Sequence, residues 1–177
     1  MKKYTLLIDQ DDVLAEYIQG VTQAYNEKYN TCISAKECVS WDLYQVFGEE
    51  VETVMHEPDL FRKLEPVKDA IEVFKRLYTS NLFEMYIVTA ANAKSVPAKV
   101  EWIKEHLPFF PIDRVIICQR KNMIKGDFLL DDGMHNIEAF AKDGGFSKKD
   151  KVDLVVKVVS SGQMAWFEFK LQHVWAV

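Results

Sequence analysis

The 177-residue chain is poor in several features that would point elsewhere. It has only three cysteines, Cys32, Cys38 and Cys118, an odd number without metal-ligand spacing. They read as reduced thiols of a cytoplasmic protein. No apolar run approaches the ~18 to 20 residues that span a bilayer, so no membrane partner is expected. The run behind the basic start Met1-Lys2-Lys3 stops at Asp9, too short for a signal peptide. Basic clusters are missing as well. No Lys/Arg run exceeds a pair, and 22 basic residues face 27 acidic ones, for a net charge of −5. Duplex binders carry a basic face, so no nucleic-acid polymer is expected as partner. Repeats and low-complexity linkers are absent too.

What remains is an ordinary globular composition, 49% hydrophobic and 28% charged. At this length one core forms without staples. Tyr4-Thr5-Leu6-Leu7-Ile8 is a continuous apolar, β-prone run that ends abruptly in Asp9-Gln10-Asp11-Asp12, the pattern of a buried parallel strand. Glu84 to Val88, ending in Thr89, repeats the form. So do Val115 to Cys118, ending in Gln119-Arg120-Lys121, and Asp127 to Leu130, ending in Asp131-Asp132. Helical spacing lies between them. Val67, Ala70, Ile71, Phe74, Leu77 and Tyr78 form one stripe, with Pro66 as a first-turn signal. Val100, Ile103 and Leu107 form another, stopped by Pro108. The alternation predicts an α/β fold, a Rossmann-like three-layer core around a mainly parallel sheet.

Residues 15–66 break the alternation. They open with a predicted helix, Ala15 to Tyr29, and then become irregular and aromatic-rich. The segment reads as a small helical cap inserted after the first strand, with residues 1–14 and 67–177 forming the core domain. Near the C-terminus, a valine-rich run from Asp153 to Val159, a Ser160-Ser161-Gly162 turn and the alternation around Phe167, Phe169 and Leu171 predict a hairpin.

In open parallel sheets, ligands bind outside the C-terminal strand ends. Asp9, Asp11, Asp12, Thr89, Asp131 and Asp132 should therefore converge, though distant in sequence. Carboxylates that close raise one another's pKa unless a cation lies among them. A hard, oxygen-loving divalent ion such as Mg²⁺ fits that need; the alternative is a purely structural acid cluster.

These residues also resemble a known family. Asp9-Gln10-Asp11-Asp12-Val13-Leu14 resembles the first motif of the haloacid dehalogenase superfamily of phosphotransferases, Thr89 the second, Lys99 the third and Leu129-Leu130-Asp131-Asp132 the fourth. Val13-Leu14-Ala15, the run from Asp59 to Pro66 and the run from Cys118 to Asp132 make the chain most similar to the 5'(3')-deoxyribonucleotidases. The resemblance covers roughly Leu6 to Phe140 and is lost after about Gly145.

The resemblance implies a Mg²⁺-dependent phosphatase of nucleoside monophosphates. Asp9 would be the nucleophile and Asp11 the general acid/base. Thr89 and Lys99 would serve the phosphoryl group. Metal ligands would be Asp9, the main-chain carbonyl of Asp11 and a fourth-motif carboxylate. Asp132 is favoured as the direct ligand, with Asp131 an outer partner. Ala90 and Lys121 are candidate phosphate contacts, with Lys125 as competitor to Lys121. Tyr17, Trp41 and Phe61 fall at or near positions that hold the base, or else form the cap's own core. A homodimer is compatible with this reading. Two departures stand out: Asp12 replaces a usual glycine, and the C-terminal segment has no counterpart. Other readings are a phosphatase of a different small ester and a non-catalytic nucleotide-binding relative.

Overall fold

The computed structural model describes residues 3–38 and 42–143. The hairpin expected between Asp153 and Leu171, and Trp41, lie outside these residues.

Four strands occur among the described residues, and all run parallel. They are β1 (Tyr4–Ile8), β2 (Phe83–Thr89), β3 (Val115–Ile117) and β4 (Phe128–Leu130), in spatial order β3-β2-β1-β4. β1 is central, as its unbroken apolar sequence requires: both of its faces are covered. Leu6 and Ile8 join the larger core with Val21, Phe74, Ile103 and Trp102. Leu7, on the opposite face, packs with Val88, Leu129 and Phe140. The period-two alternation of one short strand thus feeds two cores, one in each outer layer. The expected three-layer α/β architecture is what the chain adopts. Asp127 fixes the start of β4: its Oδ2 accepts from Thr5 N at 2.7 Å, and its own N–H donates to Thr5 O at 2.9 Å.

Between β1 and β2 the chain forms α1 (Tyr17–Tyr29), α2 (Tyr44–Phe47), α3 (Val51–Met55) and α4 (Ala70–Thr79), with 3₁₀ turns at Ala35–Glu37 and Phe61–Lys63. α5 (Val96–His106) links β2 to β3, and α6 (Met134–Asp143) follows β4.

Two helix starts differ from expectation. α1 begins at Tyr17 rather than Ala15, and α4 begins at Ala70, well past Pro66. The reason is the same. Ala15 and Pro66 meet in an antiparallel bridge, Glu16 N donates to Glu65 O at 2.9 Å, and Val67 N donates to Leu14 O at 2.9 Å. Pro66 therefore lies in a paired extended segment, where a residue without an N–H is tolerated at an edge. The outgoing and returning chain are zipped together at one point, beyond the C-terminal end of β1.

The returning strand is also pinned to α5. Trp102 is fully buried, and its Nε1–H donates to Leu64 O at 2.7 Å. Gly20 on α1 faces Leu64 so closely that any Cβ there would collide with it. Trp102→Phe should remove the indole donor and leave a buried carbonyl unpaired, lowering stability by about 1–3 kcal/mol in urea unfolding.

Candidate active site

The strand ends bring the acids together as the sequence suggests. Asp9 follows β1 directly, and Asp131 and Asp132 follow its neighbour β4. Each of Asp9, Asp131 and Asp132 offers a carboxylate oxygen within 4.8 Å of the others. Asp9 is buried, and one of its oxygens accepts from Gln10 N at 2.7 Å. Its other oxygen lies 2.6 Å from Lys121 Nζ. Lys121 is itself buried and reaches Asp131 Oδ2 at 2.6 Å, so one ammonium bridges two carboxylates. Asp131 Oδ1 accepts from Gly133 N and Asn136 Nδ2, both at 2.9 Å. The Asp131 carboxylate is thus fully engaged.

Asp132 is the opposite case. Both of its carboxylate oxygens are buried and have no hydrogen-bond partner. Burial, then the charges of Asp9, Asp12 and Asp131, push its pKa up to about 9. Asp9 is likewise raised well above the usual carboxylate range: desolvation outweighs Lys121, and Asp11 and Asp131 add to it. Lys121 is pulled down by burial, but Asp9 and Asp131 more than reverse this and its pKa ends above normal. An orphaned, buried pair of carboxyl oxygens beside a second carboxyl, both titrating high for want of positive charge, fits a hard divalent cation.

A second ion pair forms the other wall. Lys99, on α5, is fully buried; its Nζ lies 2.5 Å from Asp11 Oδ2 and 2.9 Å from Thr89 Oγ1. Asp11 Oδ1 has no partner. A lysine on a surface helix is usually solvated, whereas this one is turned into the cleft. Ala90, next to Thr89, is exposed at the mouth. Lys125 is exposed, and Lys121, not Lys125, contacts the acids.

The aromatic pair is arranged differently from an open base clamp. Tyr17 and Phe61 stack on each other, centroids 5.4 Å apart and planes 7° from parallel, with 7% and 5% exposure. The Lys99 ammonium sits 4.4 Å from the Phe61 ring centre, a cation–π contact. Burial, then the charges of Asp11 and Asp12, raise the Tyr17 phenol well above its ordinary value.

Three residues of the site carried no sequence signal. Gln10 is fully buried and its Nε2 donates to Lys99 O at 3.3 Å, tying the loop after β1 to α5. Asn136 and Gly133 hold Asp131. A polar residue between two aspartates, or one in the first turn after a strand-end pair, looks like any loop residue until the fold closes.

Among solved structures the chain is similar to a hydrolase from Streptococcus pneumoniae TIGR4, with TM-score 0.55 and 15% identity over 81% of this chain and 90% of that one. It is also similar to a dehalogenase, with TM-score 0.51 and 11% identity over 81% and 82%. Both likenesses concern the fold. Residues 3–147 match the profile of the family described as 5' nucleotidase, deoxy (pyrimidine), cytosolic type C protein. The chain is 35% identical over 143 residues to the 5'(3')-deoxyribonucleotidase of Bacillus subtilis, covering 79% of this chain and 81% of that protein. The same figures hold for the 5'(3')-deoxyribonucleotidase of Bacillus phage SPbeta. The chain belongs to this deoxyribonucleotidase family and is a hydrolase of phosphate monoesters.

The raised carboxylates set a stability test. A carboxyl group whose pKa is higher folded than unfolded binds more protons in the native state, so stability falls as pH rises between the two values. For Asp132 that window runs from 3.8 to about 9. With chelator present, the melting temperature should fall between pH 6.5 and pH 8.5. A divalent cation should restore more of it at the higher pH. A chelated protein that melts higher at pH 8.5 than at 6.5 contradicts this reading.

Proposed function

We propose that the protein is a Mg²⁺-dependent phosphatase of (deoxy)ribonucleoside 5'- or 3'-monophosphates, working through an aspartyl-phosphate on Asp9. The observation that carries the reading is the contrast between Asp131, fully engaged, and Asp132, buried with no partner beside Asp9. Asp9, Asp132 and the main-chain carbonyl of Asp11 would hold the ion, and Asp131 would orient Lys121. When bound, the ion would neutralise the crowded carboxylates and the phosphoryl oxygens.

The chain's own residues supply the chemistry. An Asp9 oxygen attacks phosphorus as the ester P–O bond breaks. Asp11 Oδ1, the oxygen not taken by Lys99, carries the proton delivered to the leaving alkoxide. The same carboxylate then takes a proton from water, which attacks the acyl-phosphate and releases inorganic phosphate with Asp9 regenerated. Thr89, Lys99, Lys121 and the Ala90 main chain would hold phosphoryl oxygens. Lys99, already on Thr89 and Asp11, joins the phosphate side of the site to the proton-transfer side.

Residues 15–66 would act as the cap. Tyr17 and Phe61, stacked as one unit, would form an apolar wall for the nucleoside, and Trp41 a further base contact. The pyrimidine preference named for the family makes dUMP and dTMP the first substrates to assay.

Asp9→Asn should abolish turnover of dUMP and of an aryl phosphate alike; substantial residual activity in that variant would sink the nucleophile assignment. Asp132→Asn should weaken Mg²⁺ activation by at least about tenfold, read as the Mg²⁺ concentration for half-maximal rate. A panel of phosphate esters assayed with Mg²⁺ tests the substrate class: a sugar phosphate turned over faster than every nucleotide refutes it.

A further inference from the structure

Asp12 ends the acidic run that follows β1, and the structure gives its side chain a task. Its φ is 50°, in the left-handed region that glycine enters freely and that Asp and Asn tolerate best among other residues. Its main-chain N–H donates to Ala15 O at 2.7 Å, closing a tight turn. Its carboxylate then reaches the start of α1, where Ile18 N donates to Oδ1 at 3.1 Å and to Oδ2 at 3.3 Å. Glu16, the residue at the helix boundary, supplies no side-chain cap. Among the described residues, Asp12 therefore takes a first-turn amide that has no partner within the helix.

The consequence reaches the site by a closed circuit. α1 begins with Tyr17, Tyr17 stacks on Phe61, Phe61 carries the Lys99 ammonium, and Lys99 pairs with Asp11, the residue before Asp12. We propose that Asp12 is a positioning residue that fastens the first turn of α1 to the catalytic loop, and thereby sets how tightly the nucleoside half of the substrate is held. This rests on the nucleotidase reading above.

Asp12→Gly keeps the backbone conformation and removes the acceptor. Asp12→Asn keeps an acceptor oxygen and removes the charge. The wild type and both variants would be assayed with Mg²⁺ on dUMP and on p-nitrophenyl phosphate, which has no nucleoside. The exchange rate of the Ile18 amide would be followed in the same three proteins. In Asp12→Gly, kcat/KM for dUMP should fall about tenfold further than kcat/KM for the aryl phosphate, chiefly through KM. Ile18 exchange should quicken about tenfold in that variant. Asp12→Asn should recover most of both effects.

Equal losses on the two substrates, an Asn variant as impaired as the Gly variant, or unaltered Ile18 exchange each overturn the proposal. A wild-type protein inactive on both phosphates removes the nucleotidase reading, and the Ile18 exchange rates still decide whether Asp12 fastens the helix.

Discussion

Negative charge crowded at the C-terminal ends of two adjacent strands is the condition around which this molecule is arranged. β1 and β4 pair in register, Ile8 beside Leu130, so the residues that follow them cannot avoid one another. Those residues are Asp9 on one strand and Asp131 with Asp132 on the other. The parallel sheet supplies no screening there: its interior is apolar on both faces, and burial raises the energetic cost of every unpaired charge. Positive charge must therefore come from elsewhere in the chain. Lys121 comes from the connection between β3 and β4 and Lys99 from α5, each buried to reach its carboxylates.

Among the described residues that compensation is incomplete. Lys121 bridges Asp9 and Asp131, and Gly133 and Asn136 complete Asp131. Lys99 takes one oxygen of Asp11. What is left over is Asp132, together with one oxygen of Asp11. Under the proposed function, this contrast within one aspartate pair is what assigns Asp131 to holding Lys121 and Asp132 to the ion.

Much of this was legible in the sequence because it depends on local pattern. Apolar runs ending in polar or acidic residues gave the four strands seen among the described residues and the ends at which the candidate site lies. Two adjacent aspartates after a strand gave the pairing with Asp9. The parts that were not legible depend on long-range contacts. The burial of Lys99 depends on α5 packing against the turn Phe61–Lys63, and nothing in Lys99-Val100-Glu101-Trp102 marks the lysine as inward. The mutual stacking of Tyr17 and Phe61 joins residues 44 positions apart. Pro66 was misleading for a clear reason. It resembles a helix first-turn signal, but its partner is Ala15, across the whole intervening segment. Asp12 registered as an anomaly in its motif, and only its positive φ and its bond to Ile18 N explain why a carboxylate is useful there.

The short antiparallel pairing of residues 14–16 with 65–67 has an evolutionary reading. Because the outgoing and returning chain touch at one point, the parallel sheet is blind to the length of what lies between. Closing such a loop costs entropy that grows only with the logarithm of its length. The segment between the paired residues can lengthen, shrink or be exchanged without moving Asp9 relative to Asp132. A single catalytic floor could in this way receive different roofs, and new substrates would be reached by replacing the insert rather than by altering the chemistry beneath it.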